Sequence, residues 1–178
     1  MCRRDSTETG KCYAWGENSV GQLGLGDKTD RTTPVEVTGV SGSDLNGKVV
    51  LHVCQNNNAT NTYAHTYFLT DEGKVYACGD AETNGVYLGV YRSASDDVTT
   101  PLELTNASTT INSNNQRAVS MWCSQGRYNT LHVITDGGDD NNVRMYAWGN
   151  NNGYQQGAGG STAHGASASA QGGWFGNE

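Results

Sequence analysis

The chain is short of charge. Only 16% of its 178 residues are Asp, Glu, Lys or Arg, against roughly 25% in an ordinary soluble domain. Cations are the scarcer sign: 11 Lys and Arg face 18 Asp and Glu, giving a formal net charge of −7. No basic cluster longer than Arg3-Arg4 reverses that sign locally, so a phosphate backbone is repelled and nucleic acid is not an expected partner. No run of about 18 apolar residues offers a membrane span. The opening MCRRDSTETG has basic residues but no apolar segment behind them, so it is not read as a signal peptide. A mature secreted or virion protein, or a cut fragment, would lack one as well.

Other absences narrow the chemistry. The five cysteines (Cys2, Cys12, Cys54, Cys78 and Cys123) form no C-x-x-C pair, so the clustered thiolates of a structural zinc site are missing. Their odd number suits reduced, buried thiols acting as small hydrophobes. There is no G-x-S-x-G elbow, and no pair of carboxylates is marked out for acid–base work. A Ser/His/Asp triad stays open, although His52, His65, His132 and His164 are scattered. The expectation is a protein with no cofactor and no enzyme activity.

What is abundant is glycine, 24 residues of it, together with Asn, Thr and Ser. Asn, Ser and Thr compete with the helical backbone for hydrogen bonds and glycine resists helical order, so turns and short strands are favoured. The length suits one domain with a real core. Asn58 and Asn106 head N-x-[ST] triplets, which an Asn-rich chain also produces by chance.

The chain repeats itself. The stretches CYAWG ending at Gly16, VYACG ending at Gly79 and MYAWG ending at Gly149 share one pattern. Their tyrosines, Tyr13, Tyr76 and Tyr146, lie 63 and then 70 residues apart. The second and third copies follow strand-like runs that reach Thr-Asp, HTYFLTDEGK from His65 and LHVITDGGDDNN from Leu131, and each reads as a β-hairpin. Upstream lie further strand candidates, KVVLHVC ending at Cys54 and RAVSMWC ending at Cys123. The two cysteines precede their tyrosines by 22 and 23 residues, so both are expected to fill one repeated core position as small apolar plugs. Behind each YA(W/C)G comes a glycine-rich stretch, and the first two continue to Thr-Thr-Pro at Pro34 and Pro101. The unit is therefore an inner strand, a hairpin, a glycine loop and a proline-led edge strand. Repeated units of several short strands predict a β-propeller.

At this level of detail, YAWGENSVGQLGLGD…TTPVEV with HTYFLTDEGKVYACG in the next unit resembles the regulator-of-chromosome-condensation repeat. The resemblance extends to about Gly160 and is most specific over Tyr13 to Gly26. It implies four-stranded antiparallel blades, usually seven around a channel, used chiefly as rigid binding platforms. It also assigns structural roles to Tyr13, Trp15 and Gly16, to the loop glycines Gly21, Gly24 and Gly26, to His65, and to Tyr76, Gly79, Tyr146, Trp148 and Gly149. The chain departs from the pattern at Cys78, which stands where Trp15 and Trp148 sit, and at Asn129 or Thr130 in the place of His65. The expected fold is all-β, a partial β-propeller with units at about 10–48, 49–110 and 117–160 and a Gly/Ser/Ala-rich tail at 161–178. Two and a half to three units do not close a ring, so the chain is expected to be a fragment or a subunit of something larger.

Three features outside the repeat compete for function. GQLGLG, Gly21 to Gly26, has the spacing G-x-x-G-x-G, the reverse of a dinucleotide loop, and no Lys-Ser/Thr directly after its last glycine, since Asp27 stands between Gly26 and Lys28-Thr29; positive-φ turns explain it better. TDGGDDNN gathers Asp136, Asp139 and Asp140 with two Asn, a hard-oxygen set that calcium favours, although an acidic hairpin tip is the commoner cause. Trp174 and Phe175 form an aromatic pair in a Gly/Ser/Ala tail and read as an anchor for a partner. The expected function is a non-enzymatic protein-binding or structural propeller module, acting with a protein partner or as a homo- or hetero-oligomer. Its low charge and Asn/Thr/Gly richness point to an extracellular or virion assembly such as a fibre or adhesin. The alternatives are a guanine-nucleotide-exchange factor for a small GTPase and a hydrolase using the Asp-rich loop.

Overall fold

The computed structural model describes residues 2–4, 10–56, 64–81, 88, 96–104, 116–124, 130–136, 143–149 and 173–174. Among them every regular element is a strand, in three antiparallel sheets. Among the described residues no helix is long and apolar enough to cross a membrane. The second sheet is a full blade, with β4 (Val50–Asn56), β5 (His65–Thr70), β6 (Val75–Gly79) and β7 (Val98–Glu103) paired in chain order. The third sheet repeats it with β8 (Ala118–Cys123), β9 (Thr130–Thr135), β10 (Arg144–Gly149) and β11 (Gly173–Trp174). The first sheet holds β1 (Cys2–Arg4), β2 (Cys12–Gly16) and β3 (Arg31–Glu36). The chain thus folds as part of a β-propeller.

Two strands lie outside the expected unit boundaries. β1 precedes the first unit and pairs with β2, Arg3 opposite Tyr13. β11 falls in the expected tail and pairs with β10, Trp174 opposite Arg144. Two residues of the expected tail, Gly173 and Trp174, therefore form the fourth strand of the chain's own third sheet. Main-chain pairing fills that edge in each sheet, and the sequence of the filling strand is free to vary because the bonds are backbone to backbone.

The repeats are congruent strand by strand. Tyr67 pairs with Ala77 and His132 with Ala147, so the YA(W/C)G strands are in the same register in both full sheets. By the same ladders Thr130, opposite Gly149, takes the place of His65, opposite Gly79. The prolines do not lead their strands. Pro101 stands inside β7, where the register shifts between Ala77 and Gly79, so the N–H it lacks is not needed by the ladder.

One core joins the three sheets. It runs from Cys12, Ala14 and Leu23 through Tyr67, Phe68 and Tyr76 to Leu131, Tyr146 and Trp148, all buried. β4 packs against β1 on one side and β8 on the other. Leu23 and Leu88, at matching places in the first two glycine-rich stretches, are both buried.

Candidate functional site

The loop after the first YAWG is a wedge driven onto the second sheet. Buried Asn18 shapes it: its Nδ2 donates to the Asp27 and Thr29 carbonyls at 2.9 and 3.2 Å, and its Oδ1 accepts from Leu23 N at 2.9 Å. The Gln22 carbonyl accepts from Thr66 Oγ1 at 2.6 Å and from the Cys78 thiol at 3.5 Å. The bulged part of β7 completes the dock, with Thr99 O accepting from Gly26 N at 2.9 Å and Pro101 O from Asp44 N at 3.2 Å. At Gly24, where φ is 72°, a Cβ would sit 2.9 Å from Pro101 Cγ and 3.1 Å from Cys78 Sγ. That approach accounts for Cys78: a tryptophan there would occupy the volume the Gly24 backbone fills. Asn18 is missing from the residues that the sequence pattern singles out; its signal was its position two residues after Gly16, directly behind YAWG-Glu.

The remaining repeat residues sit in the sheets. Gly16, Gly79 and Gly149 end their strands with φ of 107°, 121° and 107°, and a side chain at Gly79 would run into the Ala64 carbonyl oxygen. His65 is fully buried and donates from Nε2 to the Asp80 carbonyl at 2.9 Å. Burial holds its pKa down, to about 4, despite that bond and the Asp97 charge, so the ring is neutral at pH 7 with its proton on Nε2. Tyr76 is buried and Tyr13 half-buried. Tyr146 stacks on Trp148 at 6.0 Å and its hydroxyl donates to Gln116 Oε1 at 2.9 Å. Trp15 is half-buried, whereas Trp148 is 1% exposed.

The third sheet has one covered and one open face. Met121, Leu131, Val133, Tyr146 and Trp148 are buried. On the alternate positions Trp122 is 41% exposed, and His132, Ile134 and Met145 are half-buried. Their register equivalents in the second sheet are Cys54, Tyr67, Leu69 and Val75, of which the last three are buried. The face that the third sheet covers on the second is therefore more exposed on the third. Trp122 lies opposite His132 in the ladder, and the two rings stack at 5.3 Å with planes 6° apart, a cross-strand aromatic pair at the surface. Leu51 and Val119, exposed on the neighbouring edge strands β4 and β8, occupy matching bulges between Val50 and His52 and between Ala118 and Ser120. A bulge re-aims its side chain away from the regular pleat. Both side chains are therefore displayed at the surface.

Of the other sequence-derived candidates, Asp136 and the backbone of Trp174 are among the described residues. Asp136 prolongs the pairing of β9 with β8 by one residue, its Oδ1 accepting from Arg117 N at 2.7 Å and its N donating to Arg117 O at 2.8 Å. Asp139 and Asp140 lie outside the described residues, and among the described residues no three His, Cys, Asp or Glu cluster as metal ligands do. Trp174 is held by its backbone in β11; Phe175 lies outside the described residues.

The sequence profile of the regulator of chromosome condensation (RCC1) repeat matches residues 9–56. Over 79 residues the chain is 37% identical to Ras guanine nucleotide exchange factor C of Dictyostelium discoideum, covering 44% of this chain and 5% of that protein. Over 104 residues it is 34% identical to protein RCC1 of Candida albicans, covering 58% of this chain and 22% of that one. Among solved structures, human WBSCR16 superposes with a TM-score of 0.65 at 20% identity over 92% of this chain and 34% of that one. Yeast RCC1 (Prp20), bound to Kap60, superposes with a TM-score of 0.58 at 18% identity over 90% and 33%. The chain thus spans about a third of the propellers it overlays and less of the curated relatives it matches.

Proposed function

The chain carries divergent repeats of the regulator-of-chromosome-condensation family, and we propose that it is a non-enzymatic protein-binding propeller module whose binding surface is the open face of the third sheet. The observation that carries this reading is the contrast between Tyr67, 1% exposed under the third sheet, and the equivalent His132, half-buried beneath the exposed Trp122. The side chains named by the repeat pattern are spent on packing, turns and the loop dock, which leaves recognition to the face and the variable loops. The fitting occupant is a β-sheet of the same kind or a partner that imitates one, because the second sheet accepts such a cover on the same positions.

The GTPase-directed alternative gains its weight from relatives alone. One of them is a Ras guanine nucleotide exchange factor, and the structure of Prp20p from Saccharomyces cerevisiae was described together with its binding properties to Gsp1p and histones. An extracellular fibre, adhesin or virion subunit rests only on low charge and Asn/Thr/Gly richness, and no relative named above supports it.

The deciding experiment is native mass spectrometry of the chain from its source, combined with acrylamide quenching of Trp122 fluorescence. A particle heavier than 19.0 kDa with Trp122 shielded is the expected result. A lone monomer with Trp122 freely quenched overturns the reading. Release of labelled nucleotide from a panel of small GTPases decides the alternative: acceleration supports it, and unchanged rates remove it.

A further inference from the structure

Two cysteines that the sequence spacing places at equivalent positions are not equivalent. Cys54 pairs with Tyr67 and so corresponds to Trp122, which pairs with His132. Cys123 pairs with Leu131, which lies opposite Trp148, so its counterpart is Gln55, opposite Thr66 and in line with Cys78. The nearly equal separations from the tyrosines, 22 and 23 residues, arise from different loop and hairpin lengths in the two units. One residue of offset turns a side chain to the other face of its sheet. Cys54 therefore points from the second sheet toward the third, and Cys123 points from the third back toward the second.

The inner strands β4 and β8 that carry them lie against each other. Across that junction the two thiols come near enough to perturb each other's ionisation. Both side chains are half-buried and pack on the edge of the core, so a small reagent has access that the fully buried Cys12 and Cys78 deny. The neighbouring titratable group is Tyr67, whose hydroxyl burial keeps protonated.

We propose that Cys54 and Cys123 form a redox-active dithiol that closes reversibly into a disulfide stapling the second blade to the third. The oxidant is a low-molecular-weight disulfide, RSSR. In the proposed order Cys123, whose pKa its neighbour Cys54 lowers, is the attacking thiolate. Its sulfur displaces one RS⁻ from RSSR to form a mixed disulfide. Cys54 then gives up its proton, attacks the Cys123 sulfur and expels the second RS⁻. The protons from the two cysteines end on the two RS⁻ groups, so two protein thiols and RSSR become one protein disulfide and two RSH.

The test uses the full chain equilibrated in mixtures of reduced and oxidised glutathione, then alkylated and mapped by peptide mass spectrometry. The expected result is one cross-linked peptide pair containing Cys54 and Cys123, reversed by reduction. The oxidised protein should melt higher by roughly 5–10 °C, because closing a long loop constrains the unfolded chain. In Cys54→Ser the glutathione adduct should accumulate on Cys123, while Cys123→Ser should carry none on Cys54. A pair that stays reduced at every ratio, or links preferentially to Cys2, overturns the proposal. A folded Cys54→Ser variant with no adduct on Cys123 overturns the assignment of the nucleophile.

Discussion

Thr66 Oγ1 donates a 2.6 Å hydrogen bond to the Gln22 carbonyl, and through it a side chain of the second blade holds the backbone of the loop that the first blade sends across. The loop rests on β7, whose bulge leaves the Thr99 and Pro101 carbonyls free to accept from Gly26 and Asp44. Lys28 reaches Asp97 at 2.6 Å on the same side. That junction gives the glycines of GQLGLG their purpose, close approach to a neighbouring blade rather than a phosphate.

Gly24 and Gly42 separate the two reasons for a glycine. Both have positive φ, 72° and 79°. Alanine at Gly42 meets nothing within 4 Å and should cost only the left-handed backbone penalty of about 1–2 kcal/mol. Alanine at Gly24 meets Pro101 and Cys78 as well and should cost about 3 kcal/mol or more. Urea unfolding of both variants checks this; equal losses would mean that the loop does not dock.

Restoring the repeat pattern at Cys78 should harm the protein. Cys78→Trp places an indole where the Gly24 backbone and the Gln22 carbonyl already stand. We expect a loss of about 3 kcal/mol, the upper range for overpacking. A thermal melt equal to or above wild type would show that the first loop yields.

His65 makes stability depend on acid. Its folded pKa, about 4, lies below the reference value of 6.5, so between these limits the unfolded chain binds the proton and the native chain does not. Stability contributed by neutral His65 is full above pH 6.5, falls as the pH drops and is exhausted below about 4. The loss amounts to about 3 kcal/mol. His65→Gln, which stays neutral, should show a flatter profile over this window in denaturant titrations at several pH values. Parallel profiles would assign the acid sensitivity to other groups.

Trp122 should matter to binding more than to folding. Its ring is 41% exposed and stacked on one neighbour, so Trp122→Ala should lower stability by about 1 kcal/mol. Loss of partner affinity should be at least about tenfold if the open face is the binding surface. Affinity unchanged in a folded Trp122→Ala variant would move the surface elsewhere.

Much of this protein was legible in its residues. Three YA(W/C)G copies, the Thr-Asp hairpins and the Thr-Thr-Pro strands define the repeat, the all-β class and the central strands, because alternation and turn chemistry are local properties. Asn18, the outward face of Trp122 and the meeting of Cys54 with Cys123 were not legible. They depend on which blade stands beside which face, and on a register that spacing alone misplaced by one residue. The strand at Gly173–Trp174 escaped for a related reason: backbone pairing asks little of side chains, so nothing in the tail's composition announced it. Local sequence determined what a blade is made of. Only the packing of blade on blade decided which glycines touch a neighbour, which thiols face each other and which face is left open, since each of these is a contact between residues far apart in the chain.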